Sequence, residues 1–257
     1  MANSSSGESV LSRIVRIVGS FDDGKPGMGI AAIARRAGIP LATTHRLVAA
    51  LVDVGWLEHQ ANGEVRIGLR LWELVNRNSA VLGLRQAAMP FMEDIQAVVH
   101  QHTQLGVLEG DEVLFLERLS SRGSVVNEAR VAGRLPLHVS SSGMVLLAFS
   151  PRQVQESYLR RHEDGFEAAQ LRRDLAGIRQ AGYAALTGQV VEETTGIAVP
   201  VLARAGRQGA GRPLAALGVV VAAGEENIPA IVPALMTAAR GLARTLGQVL
   251  PEASPRA

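Results

Sequence analysis

Ser140-Ser141-Ser142-Gly143 stands directly ahead of the apolar run Met144–Phe149. A helix that opens on serines offers N–H groups and hydroxyls to an anion, and a carboxylate suits them. The same serines also serve as plain N-caps, and both readings stand. A second group is Thr43, His45 and Arg46, with Asn62 and Arg66 further on. Hydroxyl, amide and guanidinium groups at such spacing can reach phosphates and base edges. Arg46 could instead pair with a surface carboxylate, and His45 could simply face solvent. Three weaker groups point to catalysis or metal. His138 lies near Ser140–Ser142, Glu192 and Glu193 are adjacent carboxylates, and His100 and His102 are two apart. None has a Gly-x-Ser-x-Gly elbow or a third metal ligand beside it, so neither a catalytic triad nor a metal is expected.

The elements that must carry the second group follow from periodicity. Val10, Ile14, Ile17, Val18 and Phe21 recur at helical spacing, and residues 22–27 break the pattern. A short helix is expected over Ile30–Ala37. Gly38-Ile39-Pro40 then reads as a tight turn, and a third helix runs over about Leu41–Val54. Its apolar stripe is Thr44, Leu47, Val48 and Leu51, which leaves Ala42, His45, Arg46 and Ala49 outward. Thr44 is counted with its neighbours Thr43, His45 and Arg46 as a DNA contact. Residues 56–60 and 65–67 read as two strands around the turn dipeptide Asn62-Gly63. Helix, helix, turn, helix and ribbon is the order of a winged helix-turn-helix, whose second paired helix enters the major groove.

The remaining chain mixes helix and strand. Leu69–Ala80 and about Leu84–His102 read as helices. Thr103–Leu108 and Glu112–Leu119 read as a hairpin around Glu109-Gly110-Asp111. Ser150-Pro151-Arg152-Gln153 has the spacing of a capping box. Leu171–Ala181 and about Ile228–Leu250 are further helices, and Gly196–Leu202 and Leu214–Ala222 are apolar strands.

Composition sets the frame. The 257 residues are 47% hydrophobic and 19% charged, which suits one or two ordinary globular domains. There is no cysteine, so thiol nucleophiles and Cys-ligated metals are excluded, and a reducing cytoplasm fits. The polar stretch at residues 1–8 reads as a disordered tail without signal-peptide layout, and no run is long enough to cross a membrane. The net charge of +2 says little about nucleic acid.

Several segments in one order resemble the IclR family of bacterial transcription regulators. They are SVLSRIVRIVGSF, IAAIARRAGIPLATTHRLVAALVDVGWLE, VRIGLRLWEL, VAGRLPLHVSSSGMVLLAF and GIAVPVLA. The resemblance covers nearly the whole chain. It implies an α+β protein: a winged helix-turn-helix DNA-binding domain over residues 1–68, a linker helix over 69–83, and a GAF-like α/β effector-binding domain with an antiparallel sheet over 84–257. It also implies a homodimer or tetramer on double-stranded operator DNA, with no cofactor. Positions aligned with the family's effector pocket are Ser141, Ser142, Leu186, Thr194, Gly196, Gly218 and Val220, next to Gly143. The family is often acidic at Leu186, cysteine at Gly196 and serine at Gly218 and Val220. It also often has lysine and serine where this chain has Leu41 and Ala42, and lysine at Met144. The substitutions predict a pocket with a polar mouth and an apolar body, suited to a small carboxylic acid with an apolar or aromatic frame. The competing expectations are a GAF-like hydrolase and a sensory module that only contacts proteins.

Overall fold

The computed structural model describes residues 8–21, 27–121, 124, 125, 127, 129–162, 165–203 and 212–249. Of the tail expected over residues 1–8 only Glu8 is described, and its carboxylate accepts a hydrogen bond from Arg16 at 2.7 Å. The expected break at 22–27 lies outside the described residues except for Gly27. The chain divides into two compact units, Met1–Ala80 and Val81–Ala257.

In the first unit, α1 (Val10–Gly19) starts at Ser9, whose hydroxyl accepts the Ser12 N–H at 3.0 Å. α2 (Ile30–Ala37) ends at Gly38, whose φ of +61° is the left-handed value that a side chain would oppose. Pro40 then precedes α3 (Leu41–Asp53). Strands β1 (Leu57–His59) and β2 (Val65–Ile67) pair antiparallel as Leu57↔Ile67, Glu58↔Arg66 and His59↔Val65. Met28 bridges to β2 as a third chain segment, exchanging both backbone hydrogen bonds with Val65 at 2.9 Å. Ile17, Ile33, Leu47, Val48, Leu51, Leu57 and Val65 form the shared core. α4 (Leu69–Asn78) follows.

Val10, expected on the apolar face, is exposed. Ser79 is extended, so α4 stops there and α5 (Ala80–Val99) begins earlier than the expected Leu84. α5 also ends earlier than expected, because His100 turns to a φ of +56° and His102 is already in a strand.

The second unit is a six-stranded antiparallel sheet with strand order β5-β4-β3-β8-β7-β6. The strands are β3 (His102–Glu109), β4 (Glu112–Leu119), β5 (Arg134–Pro136), β6 (Ala184–Thr187), β7 (Thr194–Leu202) and β8 (Pro213–Ala222). One face carries Leu105, Ile197, Val199, Leu217 and Val219 and packs on α5 and α9 (Ile228–Val249). The other face carries Gly106, Ala216, Gly218, Ala198 and Ala184, placed side by side by the strand register. Small residues leave room for a helix to lie close. α6 (Ser141–Phe149) fills that room and buries every residue from Ser141 to Ala148. α7 (Arg152–Arg161) and α8 (Ala168–Ala181) complete this layer.

The capping box expected at Ser150 is not formed. The Ser150 hydroxyl donates back to the Leu146 carbonyl at 2.7 Å, inside the helix it follows, and Pro151 precedes α7 without a side-chain cap. Gln155 and Arg179 also donate to carbonyls at this helix end, which satisfies groups that α6 leaves unpaired.

Candidate functional site

The first candidate surface is the outer face of α3. Ala42, His45, Arg46 and Ala49 are exposed, and Thr43 is half-buried. Within the described residues neither the His45 nor the Arg46 side chain makes a hydrogen bond or ion pair. Pro40 supplies no side-chain cap to α3, so its first N–H groups remain available. Thr44 corrects the expectation of a DNA contact. It is fully buried, and its hydroxyl donates to the carbonyls of Pro40 at 3.2 Å and Ile39 at 3.4 Å. Its position on the apolar stripe decides this, and its role is to fasten α3 to the turn. On the ribbon, Arg66 pairs with Glu58 on the facing strand. Asn62 uses both ends of its amide within the turn, accepting the Glu64 N–H at 3.0 Å and donating to the Glu64 carboxylate at 2.9 Å.

The second candidate is a cavity at the start of α6. Ser141 lies over Gly196, and Ser142 lies over Gly218. Beyond the helix start, Val220, Gly196 and Leu186 stand side by side on β8, β7 and β6 and form the floor. Val139, Ser140, Ser141 and Thr194 also line the space. It spans about 430 Å³ including its mouth, of which about 40 Å³ admits the centre of a water molecule. The space is small and opens to solvent at its mouth.

Five of the expected effector residues therefore come together: Ser141, Leu186, Thr194, Gly196 and Val220. Three do not line the cavity. Gly143 packs on the Leu137 backbone, where a Cβ would stand 2.4 Å from the carbonyl oxygen. Its N–H is already donated to the Ser140 hydroxyl at 3.0 Å. Of the helix-start residues Ser141 and Ser142, only Ser141 lines the cavity and can offer its N–H there. Ser142 and Gly218 face each other behind the wall, with 3.4 Å between the Ser142 Oγ and a Cβ on Gly218.

The expected apolar body also needs correction. Gln104 and Asn127 line the cavity as well, and neither spacing nor resemblance pointed to them. Gln104 follows His102 and Thr103 in the polar first half of β3, so nothing in its spacing marks it. Asn127 sits in an irregular segment and carries no periodic signal.

The catalytic grouping does not assemble. His138 Nδ1 is 2.7 Å from the Tyr158 hydroxyl, while the Ser140 hydroxyl accepts from Gly143. Burial pushes the His138 imidazole below the usual histidine value, and the charge of His162 adds to this. Glu192 and Glu193 are exposed. His102 is buried, with its ring nitrogens against the Ser120 hydroxyl and the Val125 carbonyl. Among the described residues no cluster of three or more His, Asp or Glu side chains could hold a metal, and no helix is long and apolar enough to cross a membrane.

Residues 10–61 match the sequence model of the IclR helix-turn-helix domain, and residues 78–244 match that of the bacterial transcriptional regulator IclR C-terminal domain. The chain belongs to the IclR family. It is a transcription regulator with a DNA-binding helix-turn-helix and a C-terminal effector domain, and it is not an enzyme. It is 27% identical over 139 residues to KipR of Bacillus subtilis, covering 54% of this chain and 56% of that protein. It is 26% identical over 220 residues to the Pca regulon regulatory protein of Pseudomonas putida, covering 81% and 72% of the two chains. Among solved structures, an IclR homolog from Microbacterium hydrocarbonoxydans in complex with 4-hydroxybenzoate is 43% identical. It superposes with a TM-score of 0.85, covering 93% of this chain and all of that one.

Proposed function

We propose that this IclR regulator binds operator DNA in the cytoplasm as a homodimer or homotetramer, and that a small aromatic carboxylic acid in the α6 cavity changes its affinity for the operator. The observation that carries the reading is the cavity at the start of α6, where the helix-start residue Ser141 stands beside an apolar floor of Val220, Gly196 and Leu186. A carboxylate takes the Ser141 N–H and a ring covers the floor. The 4-hydroxybenzoate complex of the 43% identical homolog supports the same ligand class.

On the DNA side, Thr43, His45 and Arg46 on α3 and Arg66 on the ribbon make the contacts, while Asn62 shapes the ribbon tip. Residues 69–83 link the DNA-binding and effector domains. One short recognition helix reads too few bases for an operator, so a second copy supplies the other half-site. Leu69, Trp72, Leu74 and Val75, exposed on α4, give an apolar surface suited to that assembly. The effector acts only if it binds free and operator-bound protein with different affinity, and a tenfold swing needs about 1.4 kcal/mol of that difference.

Thermal-shift screening tests the ligand class. Benzoates should raise the melting temperature, and compact hydroxy acids or sugars should not. The opposite pattern overturns the reading. Sedimentation tests the assembly, which fails if the protein is monomeric while bound tightly to operator.

A further inference from the structure

We propose that Gln104 and Asn127 form the specificity-determining pair of the cavity and recognise a hydroxyl on the ring of the bound acid, at the position opposite its carboxylate. This rests on the reading of the cavity as an aromatic-acid site.

The pair is built into the wall. Gln104 is only 3% exposed and lies on β3 beside Gly218. Asn127 Nδ2 donates to Gln104 Oε1 at 3.3 Å, and Gln104 Nε2 points to the Ser142 hydroxyl at 3.5 Å. The direction of this chain of amides is set at one end. Asn127 Oδ1 accepts the backbone N–H of Ala129 at 2.9 Å, so its amino group must face Gln104 and the cavity. Asn127 itself is held by its backbone, since Arg118 donates to the carbonyls of Asn127 at 3.1 Å and Ala129 at 2.9 Å. An amide has two N–H donors and two lone pairs on its oxygen. After these bonds each amino group keeps a second N–H, and Gln104 Oε1 keeps a second lone pair. A hydroxyl, which both accepts and donates, satisfies that remainder. A bare ring edge leaves it unmet inside a closed wall, which the site would penalise.

The register gives the length. Ser141 lies over Gly196 on β7, and Gln104 is on β3, with β8 between them. The line across from Gly196 passes through Val220 to His102, and Gln104 lies two residues further along β3, so two strand spacings and two residues of rise give a diagonal of about 12 Å. That is the span of one benzene ring with a polar group at each end, hydrogen bonds included. The carboxylate sits beside Ser141 at the edge of Gly196, the ring over Val220 and the hydroxyl against Gln104 and Asn127.

Calorimetric titration of the full chain with benzoate, 3-hydroxybenzoate and 4-hydroxybenzoate tests this. The wild type should bind 4-hydroxybenzoate about tenfold or more tighter than benzoate, with 3-hydroxybenzoate between them. Gln104→Met and Asn127→Ala should each shrink that ratio towards one, by weakening 4-hydroxybenzoate and by tightening benzoate, whose ring edge no longer leaves amide groups unmet. Equal wild-type affinities for benzoate and 4-hydroxybenzoate overturn the pair's role, whether or not either variant folds. So does a full ratio retained in a variant. In both cases the aromatic-acid reading survives. If the wild type binds none of the three, that reading falls, and the pair's role with it.

Discussion

The Ser141 hydroxyl lies 2.9 Å from the point where a Cβ on Gly196 would stand. The absence of a side chain at Gly196 therefore lets the Ser141 end of α6 rest directly on β7 at the edge of the cavity. Gly196→Val should push the Ser141 end of α6 off the floor and weaken binding of 4-hydroxybenzoate by about tenfold or more. Operator affinity without ligand should stay as in the wild type, because Gly196 lies in the effector domain. Calorimetry and a mobility-shift titration check the two halves. Unchanged ligand affinity would remove Gly196 from the floor.

Arg46 and Thr44 are two positions apart on α3 and should behave oppositely. Arg46→Ala removes an exposed cation and should cost about 1–3 kcal/mol of operator binding while leaving the fold unchanged. If the contact is to phosphate, the salt dependence should fall by about one unit of slope. Thr44→Val removes the buried hydroxyl that fastens the turn and should lower the stability of the domain. Mobility shifts across a salt series, beside denaturant melts, separate the two. A stability loss in the Arg46 variant with unchanged binding would reverse the assignment.

The helix-turn-helix was legible because its signals are local. Gly38 and Pro40 mark the turn, Asn62-Gly63 marks the ribbon, and helical spacing gives the buried stripe. That stripe also held the answer for Thr44, which spacing had placed inward. The Met28–Val65 bridge was not legible, since a single bridging residue has no period. β5 and β6, at three and four residues, are too short to show alternation. In the cavity, the serines at the helix start were readable as polar, but their division of labour was not. Ser140 caps Gly143, Ser142 turns behind the wall, and only Ser141 is left to a ligand. Gln104 and Asn127 meet across 23 positions of sequence, a contact that depends on the sheet register and on the irregular segment after β4.

Thr103 shows a different kind of departure. It is fully buried on β3, and within the described residues its hydroxyl has no hydrogen-bond partner. An unsatisfied buried donor costs about 1–3 kcal/mol. Thr103→Val keeps the branched shape and removes that group, so it should stabilise the protein by about 1 kcal/mol. The urea midpoint should rise with an unchanged slope. A lower midpoint would mean that the hydroxyl is satisfied after all.

His138 should make stability depend on pH. Its ring lies 2.7 Å from the Tyr158 hydroxyl, beside Phe166, with the charge of His162 nearby. Burial first, and His162 second, hold its folded-state pKa below the ordinary 6.5. A histidine shifted in this direction favours folding while neutral. As pH falls below 6.5 the unfolded chain takes up the proton first, so the contribution is complete above that value and is lost towards the lower folded pKa. Asp111 shifts down from 3.8, chiefly through its hydrogen bond from Arg161, and titrates outside this window. Between about pH 7.5 and about pH 5.5 the wild-type denaturant midpoint should therefore drop. His138→Gln keeps a partner for Tyr158 but cannot titrate, so its midpoint should be flatter across the same range. An identical slope in the two proteins would assign the pH dependence to another group.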